Sequence, residues 1–308
     1  MRKVNIAVIG TGHLGSKHTK VYAALPSKVN LVAACDCQPS KAQPISQQYN
    51  IQPFLDYKKI PLKTLDAVSI CVPTKLHYTV ANYFLSHKIH CLIEKPITTT
   101  LQQAKHLTAL SQKKRITLQV GHVERFNSAF QAIKNIARNA RFIECHRLSP
   151  FSGRSTDIGV VLDLMIHDID IILGLAKSKL KNVQAVGVNI LTPREDIANA
   201  RIAFQNGCVC NLTASRVSPE AMRKIRLFLK DTYISLDYVT QEAFMYKKKN
   251  NLIVKHALPI EREEPLKKEI ESFIDCILRR KKPVVSGKEA TDALSLALKI
   301  QRLIWKKK

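Results

Sequence analysis

The residues Val4-Asn5-Ile6-Ala7-Val8-Ile9 run straight into Gly10-Thr11-Gly12-His13-Leu14-Gly15. No other feature restricts the fold as much. The first segment is apolar with little alternation, as in a parallel strand covered on both faces. The second is a Gly-x-Gly-x-x-Gly loop, and a helix is predicted from His13 to Leu25. Gly10 permits the tight turn, Gly12 lets the backbone approach a pyrophosphate, and Gly15 packs helix on strand. The helix N-terminus adds unpaired N–H groups and positive potential. Thr11, His13 and Leu14 count as cofactor-binding through their place in the loop, with the His13 ring a filler rather than a ligand.

The pattern repeats downstream. A strand over Val29–Cys35 ends at Asp36. Leu65–Val72 closes at Pro73, and a helix spans His77–Ser86. Ile89–Ile93 leads into Glu94-Lys95-Pro96, a helix follows over Leu101–Ser111, and Ile116–Val120 ends at Gly121. Strands alternating with helices give a doubly wound parallel sheet, an α/β Rossmann domain over 1–121. Asp36 is placed to accept from both adenosine ribose hydroxyls and to repel a 2′-phosphate, which favours NAD over NADP. The nearby Lys41 pulls the other way, and a strand-end or helix-capping Asp is the plain alternative. Glu94-Lys95-Pro96 puts a cation and a rigid turn at the sheet's carboxyl edge, where cofactors of such folds bind.

After Gly121–Phe126 the pattern changes. A very apolar helix is expected over Asp157–Leu175, then strands over Val183–Leu191, Asn199–Phe204, Cys208–Ser215, Lys224–Leu229, Tyr233–Tyr238 and Ala243–Lys247. Short connections mean a mainly antiparallel open sheet. Helices over Leu266–Arg279 and Lys288–Ile304 finish the chain, the last able to pack back on the first domain. The expectation is an α+β substrate-binding and oligomerisation domain over 122–308. Asp163 and His167, four apart, share a face of the apolar helix, with Asp170 three further on. Such a pair is either an oriented base or an internally satisfied structural pair.

The formal charge is +25 at pH 7. It is spread along the chain, with short runs at Lys247-Lys248-Lys249, Arg279-Arg280-Lys281-Lys282 and Lys306-Lys307-Lys308. Neither a nucleic-acid motif nor a basic stripe with interleaved aromatics appears, so nucleic acid is set aside as a partner. A solvated basic surface and attraction of an anionic substrate both remain. No apolar stretch is long enough to span a bilayer. Met1-Arg2-Lys3 leads directly into a strand, so the expected location is the cytoplasm, with no membrane partner. The eight cysteines lack metal-site spacing and read as reduced core residues; no metal is expected. Cys35/Cys37 and Cys208/Cys210 each share a strand face, the only hint of a metal site.

The ordered motifs resemble the glucose-fructose oxidoreductase / inositol dehydrogenase (Gfo/Idh/MocA) family. The resemblance covers the Gly10–Gly15 loop with His18 after it, Asp36, Pro73-Thr74-Lys75-Leu76-His77, Glu94-Lys95-Pro96 and Gly121-His122-Val123-Glu124-Arg125-Phe126. It continues through Gly159 to Asp170, then Pro265-Leu266, Glu269, Phe273 and Val285-Ser286-Gly287. It implies hydride transfer between a sugar hydroxyl and nicotinamide. Lys95 would contact the nicotinamide side and the reacting hydroxyl, His167 would take the hydroxyl proton, and Asp163 would orient it. Pro73, Thr74, His77 and Glu94 would belong to the cofactor cleft, and Arg125 to the substrate mouth. Met165 departs from the small residue usual there. His122, Glu124 and Asn127 are weaker candidates, with capping or surface roles as the alternative.

Gly121–Asn127 and Leu162–Asp170 look most like the branch of UDP-N-acetylglucosamine 3-dehydrogenases, whose ketone product feeds an aminotransferase. A dehydrogenase of a free polyol or aldose is the alternative enzyme, and a non-catalytic NAD-binding regulator the alternative class. The intact Lys95, Asp163 and His167 speak against the regulator. The resemblance also implies a homodimer or homotetramer.

Overall fold

The computed structural model describes residues 2–153, 158–250 and 252–306. The chain forms two compact units, Met1–Val123 with Leu266–Thr291, and Glu124–Pro265 with Asp292–Lys308.

The first unit contains β1 (Val4–Ile9), α1 (His13–Ala23), β2 (Val29–Cys35), α2 (Pro39–Tyr49), β3 (Gln52–Phe54), β4 (Ala67–Ile70), α3 (Thr74–Ser86), β5 (His90–Glu94), α4 (Leu101–Lys114) and β6 (Leu118–Gly121). The strands lie in the order β3-β2-β1-β4-β5-β6. Every pairing in this sheet is parallel. The direction of winding reverses between β1 and β4, so their carboxyl ends flank the crevice where such sheets bind ligands. Val4, Ile6 and Val8 pack with Tyr22 and Leu92, and with Ile270, Phe273 and Ile274 from the Pro265–Arg279 helix. Burying each of these large side chains is worth about 1.5–3 kcal/mol.

The second unit contains α5 (Ser128–Ile133), β7 (Phe142–Leu148), a π-helical turn over Val161–Met165, α6 (Ile166–Ala176), β8 (Leu180–Val188), β9 (Ile197–Phe204), β10 (Val209–Ser215), β11 (Met222–Leu229), β12 (Thr232–Asp237), β13 (Glu242–Lys249) and β14 (Leu252–Ala257). Its sheet runs β14-β13-β12-β11-β7-β10-β9-β8. Its pairings are antiparallel except β7 with β10. The C-terminal helix spans Gly287–Trp305.

Four sequence expectations need correction. In the first unit, α2 and β3 were not foreseen between β2 and β4. The apolar helix enters as a π-helical turn at Val161 and becomes α-helical only at Ile166; its expected start at Asp157 lies outside the described residues. The strand expected over Val183–Leu191 begins earlier and ends at Val188. Asp196 Oδ2 takes the N–H groups of Ile190, Leu191 and Thr192, which turns the chain off the strand. The sheet is also wider than expected, because β7 and β14 were not foreseen. In β7, Ile143, Cys145 and Arg147 point inward, and an inward arginine hides the alternation.

Candidate active site

Gly10 has φ +87°, and a Cβ there would fall 2.8 Å from the backbone of Cys71 and Val72. A Cβ on Gly15 would fall 1.7 Å from the Gly10 oxygen. Side chains are therefore barred where β1, the loop and α1 meet. At Gly12, the N-cap of α1, a Cβ would meet nothing within 4 Å. No side chain caps that helix end and no acid occupies its first turn. Open space over uncapped N–H groups fits a pyrophosphate. His13, Leu14 and Pro73 are exposed around the same carboxyl edge, and Thr74 begins α3.

Asp36 is tied to this loop. Its Oδ2 accepts from the Thr11 N–H at 3.0 Å and its Oδ1 from the Gln38 N–H at 3.0 Å. The carboxylate thus fixes the loop and the exit from β2 together. It retains further lone pairs for a ribose diol.

Lys95 follows β5 and is half-buried. Below it lies a chain of buried polar groups. Tyr22 Oη lies 3.1 Å from Ser69 Oγ, Ser69 Oγ lies 2.8 Å from His18 Nδ1, and His18 Nε2 lies 2.9 Å from Glu94 Oε1. The Lys95 N–H donates to Glu94 Oε2 at 3.3 Å. Burial alone pushes the Glu94 carboxyl up. The His18 hydrogen bond and charge, with Lys95 and His77, outweigh it and hold Glu94 below the usual carboxylate range. His77 spans two carbonyls, with Nδ1 2.8 Å from Pro96 O and Nε2 2.8 Å from Val72 O. It is buried and braces the exit of β4 against the Lys95–Pro96 turn. Burial lowers its pKa despite both carbonyls.

The second unit carries Asp163 and His167, one turn apart and both half-buried, where the π-turn passes into α6. π-Helical turns are frequent at functional sites. The segment is also held by ion pairs. Arg147 donates through Nε to Asp168 Oδ2 (3.0 Å), through Nη2 to Asp168 Oδ1 (2.9 Å) and through Nη1 to Glu124 Oε1 (2.8 Å). Its guanidinium also lies 5.5 Å from the Tyr238 ring centroid. Burial disfavours the Arg147 charge, but Asp168 and Glu124 more than restore it. Arg125 forks onto Asp170, with Nε–Oδ2 at 2.5 Å and Nη2–Oδ1 at 3.0 Å. The fork ties this guanidinium to α6.

Asn127 caps α5 and donates to the Tyr238 carbonyl. Glu124 is buried in the ion triad rather than lying at the surface. Sequence reasoning missed Arg147 and gave Asp168 no role, because the triad joins residues far apart in the chain. Cys208 lies just before β10 and Cys210 within it, with their sulfurs 4.0 Å apart. Among the described residues no cluster could hold a metal ion, and no helix is long and apolar enough to cross a membrane.

Residues 4–122 match the family model described as an oxidoreductase family with an NAD-binding Rossmann fold, and residues 121–234 match a GFO/IDH/MocA C-terminal domain. The chain belongs to the Gfo/Idh/MocA family. As a member it is a nicotinamide-dependent oxidoreductase, as the Gly-rich loop and the Glu-Lys-Pro turn implied. UDP-N-acetylglucosamine 3-dehydrogenase from Acidithiobacillus ferrooxidans is 33% identical, over 98% of this chain and 97% of that protein. A crystal form of that enzyme superposes with a TM-score of 0.92, over 99% of this chain and 98% of that one. Among Gfo/Idh/MocA relatives, scyllo-inositol 2-dehydrogenase (NAD(+)) from Bacillus subtilis is 24% identical over 96% of this chain and 92% of that protein. Scyllo-inositol dehydrogenase from Lactobacillus casei, solved with NAD(H) and scyllo-inositol, has a TM-score of 0.84 at 19% identity, over 99% of this chain and 98% of that one.

Proposed function

We propose that this enzyme oxidises the 3-hydroxyl of UDP-N-acetylglucosamine to a ketone, with NAD rather than NADP as oxidant. The observation that carries the reading is the 33% identity that runs over 98% of the chain. The formal charge of +25 supports it, since a basic protein attracts a diphosphate sugar. Asp36 supports NAD, because a carboxylate at the end of β2 accepts from a ribose diol and repels a 2′-phosphate.

When bound, the oxidised nicotinamide supplies the acceptor for the hydride. The Gly10–Gly15 loop and the α1 N-terminus hold the pyrophosphate. His167, oriented by Asp163, takes the proton of the sugar hydroxyl. The Lys95 ammonium stabilises the negative charge that builds on that oxygen. Glu94, anchored by His18, and His77, anchored on Val72 and Pro96, keep Lys95 in place. The ketone product is then substrate for an aminotransferase. The setting is cytoplasmic, and the enzyme works as a homodimer or homotetramer.

Lys95→Met and His167→Asn test the assignment of roles. Each should retain NAD binding, read by quenching of protein fluorescence, and lose most turnover. Near-normal turnover in both variants would remove the assignment.

A further inference from the structure

Thr192-Pro193-Arg194-Glu195-Asp196 joins β8 to β9 and has the composition of a surface turn. Nevertheless Glu195 and Asp196 are both fully buried. Asp196 folds the turn itself. It accepts from the N–H groups of Ile190, Leu191 and Thr192 at 2.6–2.9 Å and from the Thr192 hydroxyl at 2.7 Å. Glu195 has no such local duty. Its Oε1 accepts from Gln301 Nε2 at 2.9 Å and its Oε2 from Trp305 Nε1 at 3.2 Å, both near the end of the C-terminal helix.

The same carboxylate lies against Gly159. A Cβ built there would fall 2.0 Å from Oε1 and 2.4 Å from Oε2, so a larger residue at 159 would push the carboxylate off its place. The Glu195 carbonyl accepts from the Val160 N–H at 3.0 Å. The Gly159 carbonyl in turn accepts from the N–H groups of Leu162 at 3.2 Å and Asp163 at 3.0 Å, in the turn that leads into the π-helical segment. Arg216 closes the frame, donating through Nη2 to the Ile158 carbonyl at 2.7 Å and through its backbone N–H to the Asp196 carbonyl at 2.9 Å.

A buried carboxylate whose donors are two neutral groups is expensive. A well-packed apolar side chain would be the cheaper way to fill this position. What the carboxylate adds is direction, because it sits packed on Gly159 and is held by two N–H donors of the C-terminal helix, while the main-chain carbonyl of the same residue takes the Val160 N–H. We propose that Glu195 is a positioning residue, which uses Gln301 and Trp305 as its anchor to fix the entry of the segment bearing Asp163 and His167. The proposal rests on the reading that those two residues handle the hydroxyl proton. It makes the last turn of the C-terminal helix part of the catalytic apparatus.

The test uses the full chain with Glu195→Gln, Trp305→Phe and the double variant. Trp305→Phe keeps an aromatic ring and removes only the donor. Two readouts are needed: kcat and KM with NAD and UDP-N-acetylglucosamine, and amide hydrogen exchange by mass spectrometry without substrate. A misplacement of about 1 Å can cost on the order of 100-fold in rate. The expected result is a loss of roughly tenfold or more in kcat, with KM and NAD affinity within about twofold. Exchange should quicken over residues 159–168 and not over β10. The double variant should be no worse than the poorer single one, since both break one link.

Unchanged exchange over 159–168 would overturn the proposal. A lowered melting temperature with kcat near wild type would also overturn it, reducing Glu195 to a packing role. Lys95→Met and His167→Asn, run alongside, keep this outcome separate from failure of the parent reading. If those two variants remain active, the roles of Asp163 and His167 fall whatever Glu195 does.

Discussion

His18 Nε2 lies 2.9 Å from Glu94 Oε1, and the two side chains are 0% and 10% exposed. The pair joins α1, which begins at the Gly-rich loop, to the residue immediately before Lys95. His18→Leu should therefore destabilise by about 3–5 kcal/mol, the usual result of stranding one member of a buried pair. His18→Gln keeps a donor and should cost less. Urea unfolding of both variants checks the order, and equal losses would mean that the hydrogen bond contributes nothing beyond volume.

The pair also sets a pH dependence. The folded chain holds Glu94 below its ordinary pKa. As pH falls, the unfolded chain takes up that proton first, so the contribution is present above the ordinary Glu range and is lost as pH drops through the folded value. Relative to Glu94→Gln, the wild type should gain stability between acid and neutral pH. Parallel stability curves for the two proteins would contradict this.

Glu269 should behave in the opposite sense. It is fully buried, and among the described residues neither carboxyl oxygen has a hydrogen-bond partner. Burial first, and then the charge of Glu94, push its pKa well above the ordinary value. The folded chain binds this proton more tightly, so its contribution is complete below the unfolded pKa and erodes as pH rises towards the folded one. Glu269→Gln should raise the melting temperature at neutral pH, and the gain should vanish near pH 4. A destabilised variant at both pH values would mean that the carboxyl is needed as such.

Arg147 serves two carboxylates with one planar fork. Arg147→Lys should lose most of this, because an ammonium cannot reproduce the bidentate geometry on Asp168 while also reaching Glu124. A loss of about 3 kcal/mol or more is expected from leaving a buried acid poorly paired. Thermal unfolding of the variant gives the answer, and a loss under about 1 kcal/mol would show that the site relaxes around lysine.

Asp36→Ser should lower the preference for NAD over NADP by about tenfold or more, the worth of one charge-assisted hydrogen bond. The ratio of kcat/KM for the two cofactors measures it. If the ratio is unmoved, Asp36 acts only through its hold on Thr11 and Gln38.

Apart from α2 and the short edge strand β3, the first unit was readable in the sequence because its signals are local. Buried parallel strands leave apolar runs, and a loop that bars side chains leaves glycines at fixed spacing. The Glu94-Lys95-Pro96 turn was legible for the same reason. His18 and Glu94 were both visible as motif members, but their contact joins an early helix to a late strand, and no periodicity reports that. The second unit hid more. Arg147 points inward from β7 where an apolar residue would have announced the strand, and Glu195 is buried in a turn of surface composition. In both cases the burial is made tolerable by partners distant in the chain, at Glu124 and Asp168 for one and at Gln301 and Trp305 for the other.

The most direct test of the central claim follows reduced nicotinamide by absorbance, with NAD and UDP-N-acetylglucosamine, and with glutamate and an aminotransferase added to draw off the ketone. The account predicts steady production of reduced cofactor that disappears in Lys95→Met. No production by wild-type enzyme that binds NAD, together with turnover of a free inositol or aldose, would contradict the nucleotide-sugar assignment.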